Sequence, residues 1–172
     1  MGIRPSYIQY PTTEALSILN VGNFKSVVVM SSSGVALPNY LYNVYPDIQI
    51  IGRLFREGPN LPTPEEAVSE WYPYIHETRG KINLYQIDNE PDQNYPNATP
   101  ETFTYWWLRV IALLANKFPS LKWGFSMPSI IGGEGWDYAL RCKVAIQAAD
   151  WIAERGYWQQ QWQMEDLYWG TR

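Results

Sequence analysis

The sequence predicts an α/β fold built from about six β/α units with parallel strands. Two observations carry this. Short apolar runs alternate with amphipathic ones along most of the chain, at about thirty residues per unit. Two of the amphipathic segments also open on a threonine followed by proline and glutamate, the composition of a helix start. A third observation narrows the architecture. No glycine-rich phosphate loop joins an early strand to a helix, and Gly132-Gly133-Glu134-Gly135 fits neither the dinucleotide nor the P-loop pattern. An open nucleotide-binding sheet loses its best support, and most of a (β/α)8 barrel remains. The glycine run is read as a flexible loop rimming a site.

The elements follow in order. Ser6 to Tyr10 reads as a first strand and Thr13 to Leu19 as its short helix. Ser26 to Met30 contains three consecutive valines, and β-branched side chains favour strands. Gly34 to Tyr45 is a weak helix, and Ile48 to Leu54 a strand with Arg53 near its end. Thr63-Pro64-Glu65-Glu66 has the residues of a capping box, with proline at the first helical position, for a helix running to about Glu77. The run Ile82 to Glu90 is an apolar strand whose last residues turn polar before Pro91 stops it. Thr99-Pro100-Glu101 opens a helix in which Phe103, Trp106, Trp107, Val110, Ile111, Leu113 and Leu114 recur at helical spacing. Leu121 to Ser126 is a strand, Trp136 to Gln147 a helix, and Asp150 to Ala153 a strand ending near Tyr157. The tail, Gln159 to Arg172, is polar and aromatic with no clear period.

The chain has 172 residues and a net charge of -4. That length allows one domain with a substantial core, here residues 1–172 as one incomplete barrel. Mild acidity argues against nucleic-acid binding, which needs a basic patch. No stretch is long and apolar enough to span a membrane. The start, Met1 to Pro5, lacks the apolar core of a signal peptide, so the default expectation is the cytoplasm. Asn97-Ala98-Thr99 fits the glycosylation pattern and is read as chance. Cys142 is the single cysteine and His76 the single histidine, so neither a metal site nor thiol catalysis is expected, nor any cofactor. Cys142 reads as a small buried hydrophobe. Nine tryptophans and thirteen tyrosines stand out. They are either core rings or, in part, platforms for a sugar, whose C–H faces stack on aromatic rings.

The most informative segment is Tyr85-Gln86-Ile87-Asp88-Asn89-Glu90-Pro91. Parallel barrels carry their active sites at the C-terminal ends of the strands. A glutamate there, beside an asparagine able to bond a sugar hydroxyl, suits acid/base cleavage of a glycosidic bond. The bland readings are a surface glutamate, an asparagine that caps the turn before Pro91, and an Asp88 that is solvated or paired.

These residues resemble the Asn-Glu-Pro signature at the end of the fourth strand in clan A glycoside hydrolases, retaining enzymes on a TIM (β/α)8 barrel. The resemblance implies Glu90 as general acid/base and Asn89 as the ligand of the hydroxyl next to the anomeric carbon. Three strands precede this one, so its place in the order agrees. Arg53, at the end of the third strand, falls on the same catalytic face. The segment Asp150 to Trp158 looks like the family's sixth strand, with Arg155 where a histidine is common and Tyr157 and Trp158 after it. The family's nucleophile is a second glutamate at the end of a seventh strand, and no seventh strand is legible here. The chain therefore reads as a partial barrel of about six units, with an oligo- or polysaccharide as the implied partner. Glu134, Glu154, Glu165 and Asp166 are the other carboxylates considered for the nucleophile, none at a matching position. Arg53, Trp136, Arg155, Tyr157, Trp158 and Trp162 are the candidate substrate contacts, the aromatics being placed in loops at that face. Trp106 and Trp107 are read as packing.

Two other readings stand beside this one. The chain is a non-catalytic carbohydrate-binding module on a partial barrel, or an assembly module that forms a homo-oligomer through the exposed edges of its sheet.

Overall fold

The computed structural model describes residues 2–3, 25–56, 58–129 and 133–153. Among them are strands β1 (Gly2–Ile3), β2 (Ser26–Met30), β3 (Gln49–Leu54), β4 (Leu84–Ile87), β5 (Lys122–Ser126) and β6 (Trp151–Ala153). They form one sheet in the order β1-β2-β3-β4-β5-β6, and every neighbouring pair is parallel. Sequential parallel order is what successive β/α units produce, and it is consistent with a partial TIM-like barrel. β1 was not expected: two residues beside Arg4 and Pro5 carry no local strand signal, and pairing with Ser26 and Val27 decides the matter. The strand and helix expected over residues 6–19 lie outside the described residues.

Among the described residues, six α-helices lie between the strands: α1 (Ala36–Val44), α2 (Pro64–Thr78), α3 (Pro91–Asn94), α4 (Pro100–Lys117), α5 (Gly133–Arg141) and α6 (Lys143–Ala148). α2 starts on a complete capping box. The Glu66 N–H donates to Thr63 Oγ1 at 3.2 Å, and the Thr63 N–H donates to Glu66 Oε2 at 2.8 Å. α4 starts likewise on Thr99, whose side chain accepts from the Thr102 N–H at 3.2 Å. These caps satisfy N–H groups that a helix's first turn leaves without partners.

The helix expected over Trp136 to Gln147 is two helices. Cys142 separates them, its backbone out of helical geometry at ψ 9°. Its thiol is buried and donates to the Pro100 carbonyl at 3.5 Å, which docks the junction on the start of α4. Gly133 and Gly135 belong to α5 rather than to a loop. Docking overrides the low helix propensity of glycine: Tyr138 packs on Phe103, and Arg141 grips Glu101 through two hydrogen bonds of 2.8 and 2.9 Å.

Alternation along the strands gives the sheet two faces. Val27, Val29, Ile50, Leu54, Tyr85, Ile87, Trp123 and Phe125 share one of them and are buried. α2 and α4 cover this face. Trp107 meets Phe125 edge-on with centroids 5.5 Å apart, and Tyr74 meets Tyr85 at 6.4 Å. The Tyr85 hydroxyl reaches Thr78 Oγ1 at 2.8 Å. Gly52 makes room for the Tyr85 ring, since a Cβ at that position would come within 2.7 Å of it.

On the opposite face Val28, Met30, Ile51, Leu84 and Trp151 are half-buried. Among the residues whose burial is described, only Arg53, Gln86, Gly124 and Ser126 are buried there. The Trp151 indole lies across Gly124, its partner in register, where any side chain would collide with the ring.

Candidate functional site

The buried polar residues of the second face sit at the C-terminal ends of three adjacent strands. Arg53 comes from β3, Gln86 from β4 and Ser126 from β5. They form a directed chain of hydrogen bonds. Arg53 Nε donates to Gln86 Oε1 at 3.0 Å, and Gln86 Nε2 donates to Ser126 Oγ at 2.8 Å and to the Asp88 carbonyl at 3.1 Å. The other arm of the guanidinium fork, Nη1, donates to Asn89 Oδ1 at 3.0 Å. Arg53 is 5% exposed and Gln86 1%, so these bonds satisfy polar groups that burial would otherwise destabilise.

β4 stops at Ile87, three residues earlier than expected. The reason is the backbone: Asp88 (φ 65°) and Glu90 (φ 42°) are both left-handed and leave the extended conformation. Aspartate tolerates this region better than glutamate does. The Asp88 N–H still continues the ladder, donating to the Leu54 carbonyl at 2.7 Å. Pro91 then takes the first position of α3, which the sequence reading did not anticipate. The N–H groups of Gln93 and Asn94 return to the Glu90 carbonyl, both at 2.9 Å. Asn94 Nδ2 donates to the Asn89 carbonyl and, at 3.4 Å, to Asp88 Oδ1. A four-residue helix thus clamps the turn from one side, while Arg53 holds it from the other.

This clamp has a chemical consequence. Because Arg53 donates to Asn89 Oδ1, the amide must present its Nδ2 elsewhere. It points to Glu90 Oε2 at 3.5 Å. Glu90 is half-buried, and Asn89 is 9% exposed. The turn therefore offers a carboxylate and an amide donor side by side at the strand end.

Asp88 is fully buried, so of the expected solvated and paired roles the solvated one falls and the paired one stands: its Oδ1 accepts from Asn94 Nδ2 at 3.4 Å. Burial pushes its carboxyl up to about 8. The Asn89 N–H, the Asn94 and Tyr95 side chains and the Arg53 charge pull it back only in part. Its Oδ2 has no hydrogen-bond partner in good geometry, while the nearby Tyr95 hydroxyl donates to the Arg56 carbonyl at 3.4 Å. Asp92 is engaged separately: its Oδ1 accepts from the Ser129 N–H at 2.7 Å and ties this turn to the segment after β5.

Of the residues singled out from the sequence, Arg53, Asn89 and Glu90 come together. Trp136 lies on α5 and not in a loop, because that segment is helical through Gly133; its side chain is 46% exposed. Arg155, Tyr157, Trp158 and Trp162 lie outside the described residues, as do Glu154, Glu165 and Asp166. Trp106 and Trp107 are core residues. His76 is exposed on α2 and stacks on Tyr72 at 5.7 Å. Among the described residues, no three His, Cys, Asp or Glu side chains are placed to hold a metal ion, and no helix is long and apolar enough to cross a membrane.

Gln86, Ser126 and Asn94 were missed. Gln86 did leave a signal. It is a polar residue inside an apolar run, one strand position from an end already marked by a carboxylate. Asn94 left none, since a bond from α3 back to the turn exists only in three dimensions.

No family model matches the chain, and no curated protein matches it. Among solved structures, it is similar to the β-glucuronidase of Parabacteroides merdae, crystallised with glycerol in its active site. The TM-score is 0.53 and the identity 9%. The match covers 81% of this chain and 20% of that one, so the chain spans about a fifth of the enzyme's length. At that identity the likeness is one of fold.

Proposed function

We propose that the chain is a glycoside-hydrolase-like domain in which Glu90 handles the proton of the glycosidic oxygen. One observation carries the reading: Glu90 and an oriented Asn89 stand together at the C-terminal end of the fourth parallel strand, anchored to buried Arg53. Asn89 Nδ2 supplies a donor for a hydroxyl oxygen of the sugar. Glu90 protonates the leaving oxygen as the bond to the anomeric carbon breaks, then takes a proton from water in the second half of a retaining reaction. That reaction needs a second carboxylate about 5–5.5 Å from the first. Among the described residues, the neighbouring Asp88 and Asp92 are committed to the turn's own hydrogen bonds. The nucleophile is therefore assigned to a part of the protein outside them. The fold likeness to a β-glucuronidase supports a carbohydrate as ligand.

The test uses Glu90→Gln in the longest natural form of the protein, read by oligosaccharide hydrolysis and by calorimetric binding. Turnover is expected to fall at least about a hundredfold while binding persists, as for loss of a general acid. Unchanged turnover ends the reading. Binding without any cleavage by the unsubstituted protein selects the carbohydrate-binding alternative. The half-buried apolar residues Val28, Met30, Ile51 and Leu84 favour that alternative next, because they leave apolar surface on the same face of the sheet as Arg53 and Gln86.

A further inference from the structure

We propose that α5 and α6 carry a self-complementary docking surface for a second copy of this chain, with the two copies paired antiparallel along the row Trp136, Leu140 and Val144.

The core takes one side of these helices. Tyr138, Ala139, Cys142 and Ala145 are buried, where α5 and α6 pack on α4. On the other side Trp136, Leu140 and Val144 are 46%, 71% and 59% exposed. Their spacing of four residues sets them in one row along a helix. The break at Cys142 leaves the row intact. The Cys142 N–H donates to the Tyr138 carbonyl at 3.0 Å, and the Ile146 N–H donates to the Cys142 carbonyl at 3.1 Å. The helical ladder thus runs up to Cys142 and onward from it. Exposed apolar side chains scattered singly are ordinary, but three in a row make a patch of the kind that marks a protein contact.

The pattern around Leu140 selects the occupant. In an antiparallel pair of copies with a two-fold axis at Leu140, each residue meets the one equally far on the other side. Leu140 meets Leu140. Trp136 meets Val144, a large ring against a small side chain. Asp137 meets Lys143, a carboxylate against an ammonium, and symmetry makes this pair twice. Parallel pairing would instead set Asp137 against Asp137 and Lys143 against Lys143. Both charges are available. The Asp137 side chain is 70% exposed, and Arg141, 3.7 Å away in its own chain, is already bonded twice to Glu101. Lys143 is exposed and makes no ion pair among the described residues. The surface lies on helices, so this contact is distinct from pairing between sheet edges. Three apolar side chains from each copy form a small interface core, which makes the dimer weak and dependent on concentration.

The experiment is sedimentation velocity of the 172-residue chain at low salt, from about 1 µM to about 500 µM. The sedimentation coefficient is expected to rise from that of one chain toward that of two. A chain that stays single throughout overturns the proposal. Leu140→Asp places two carboxylates at the axis and is expected to weaken association at least about tenfold, with the melting midpoint of the dilute chain unchanged. A lowered midpoint with association unaltered means that the row is covered by the chain's own residues, and overturns the proposal. The charges then test the register. Asp137→Lys and Lys143→Asp each turn both cross-axis pairs into like-charge pairs, and each is expected to weaken association about tenfold. The double exchange, Asp137→Lys with Lys143→Asp, is expected to restore it to within about threefold. A double exchange no tighter than the single ones overturns the antiparallel pairing. Should Leu140→Asp fail to fold, this exchange decides by itself.

Discussion

The face of the sheet beneath α2 and α4 is closed by rings, with Trp107 on Phe125 and Tyr74 on Tyr85, whereas the opposite face is held by a run of polar bonds from Asn89 through Arg53 and Gln86 to Ser126. The first kind of contact is non-directional and grows with area, so it fixes the sheet without specifying any one atom's orientation. The second kind is directional, so removing one partner changes where the others point. Stability is concentrated on the first face and geometry on the second. The candidate site depends on both, because β4 supplies Tyr85 and Ile87 to one and Gln86 to the other.

Substitutions separate the two roles. Trp107→Ala empties a fully buried position and is expected to cost about 3–5 kcal/mol, read as a lower denaturation midpoint. At temperatures where the variant stays folded, sugar affinity should be unchanged; a loss there would mean that the ring-packed face also shapes the site. Gln86→Leu keeps the volume but strips Arg53 Nε of its acceptor and Ser126 of its donor, at a cost of about 1–3 kcal/mol. Here affinity should fall by more than the melting shift accounts for, since Asn89 loses its fixed amide. Equal behaviour of the Trp107 and Gln86 variants would erase the distinction between the faces. Thr63→Ala removes the cap of α2 at a distance from the turn and should lower stability by about 1 kcal/mol with no effect on binding.

How far the sequence could be read varies along the chain in a physically regular way. Thr63 and Glu66 were legible because a capping box is made by residues three apart, and its geometry needs nothing else. Ser26–Met30 was legible because its valines favour a buried strand anywhere. Residues 136–147 were misjudged because helical periodicity cannot show that Cys142 will be drawn to the Pro100 carbonyl and break the helix. The burial of Asp88 was not legible for a similar reason. An aspartate is usually solvated, and only the packing of α3 and Tyr95 over the end of β4 encloses it.

The alternation of parallel strands and helices from Ser26 onward, and the carboxylate just past the strand that ends at Ile87, were legible in the sequence itself, through periodicity, caps and a polar end to an apolar run. These are local properties that neighbouring residues settle among themselves. Tertiary structure alone decided that Asp88 is buried, that Arg53 turns the Asn89 amide toward Glu90, and that Asn94 clamps the turn. Each of those depends on hydrogen bonds or burial contributed by other elements, whose distances exist only once the sheet has assembled.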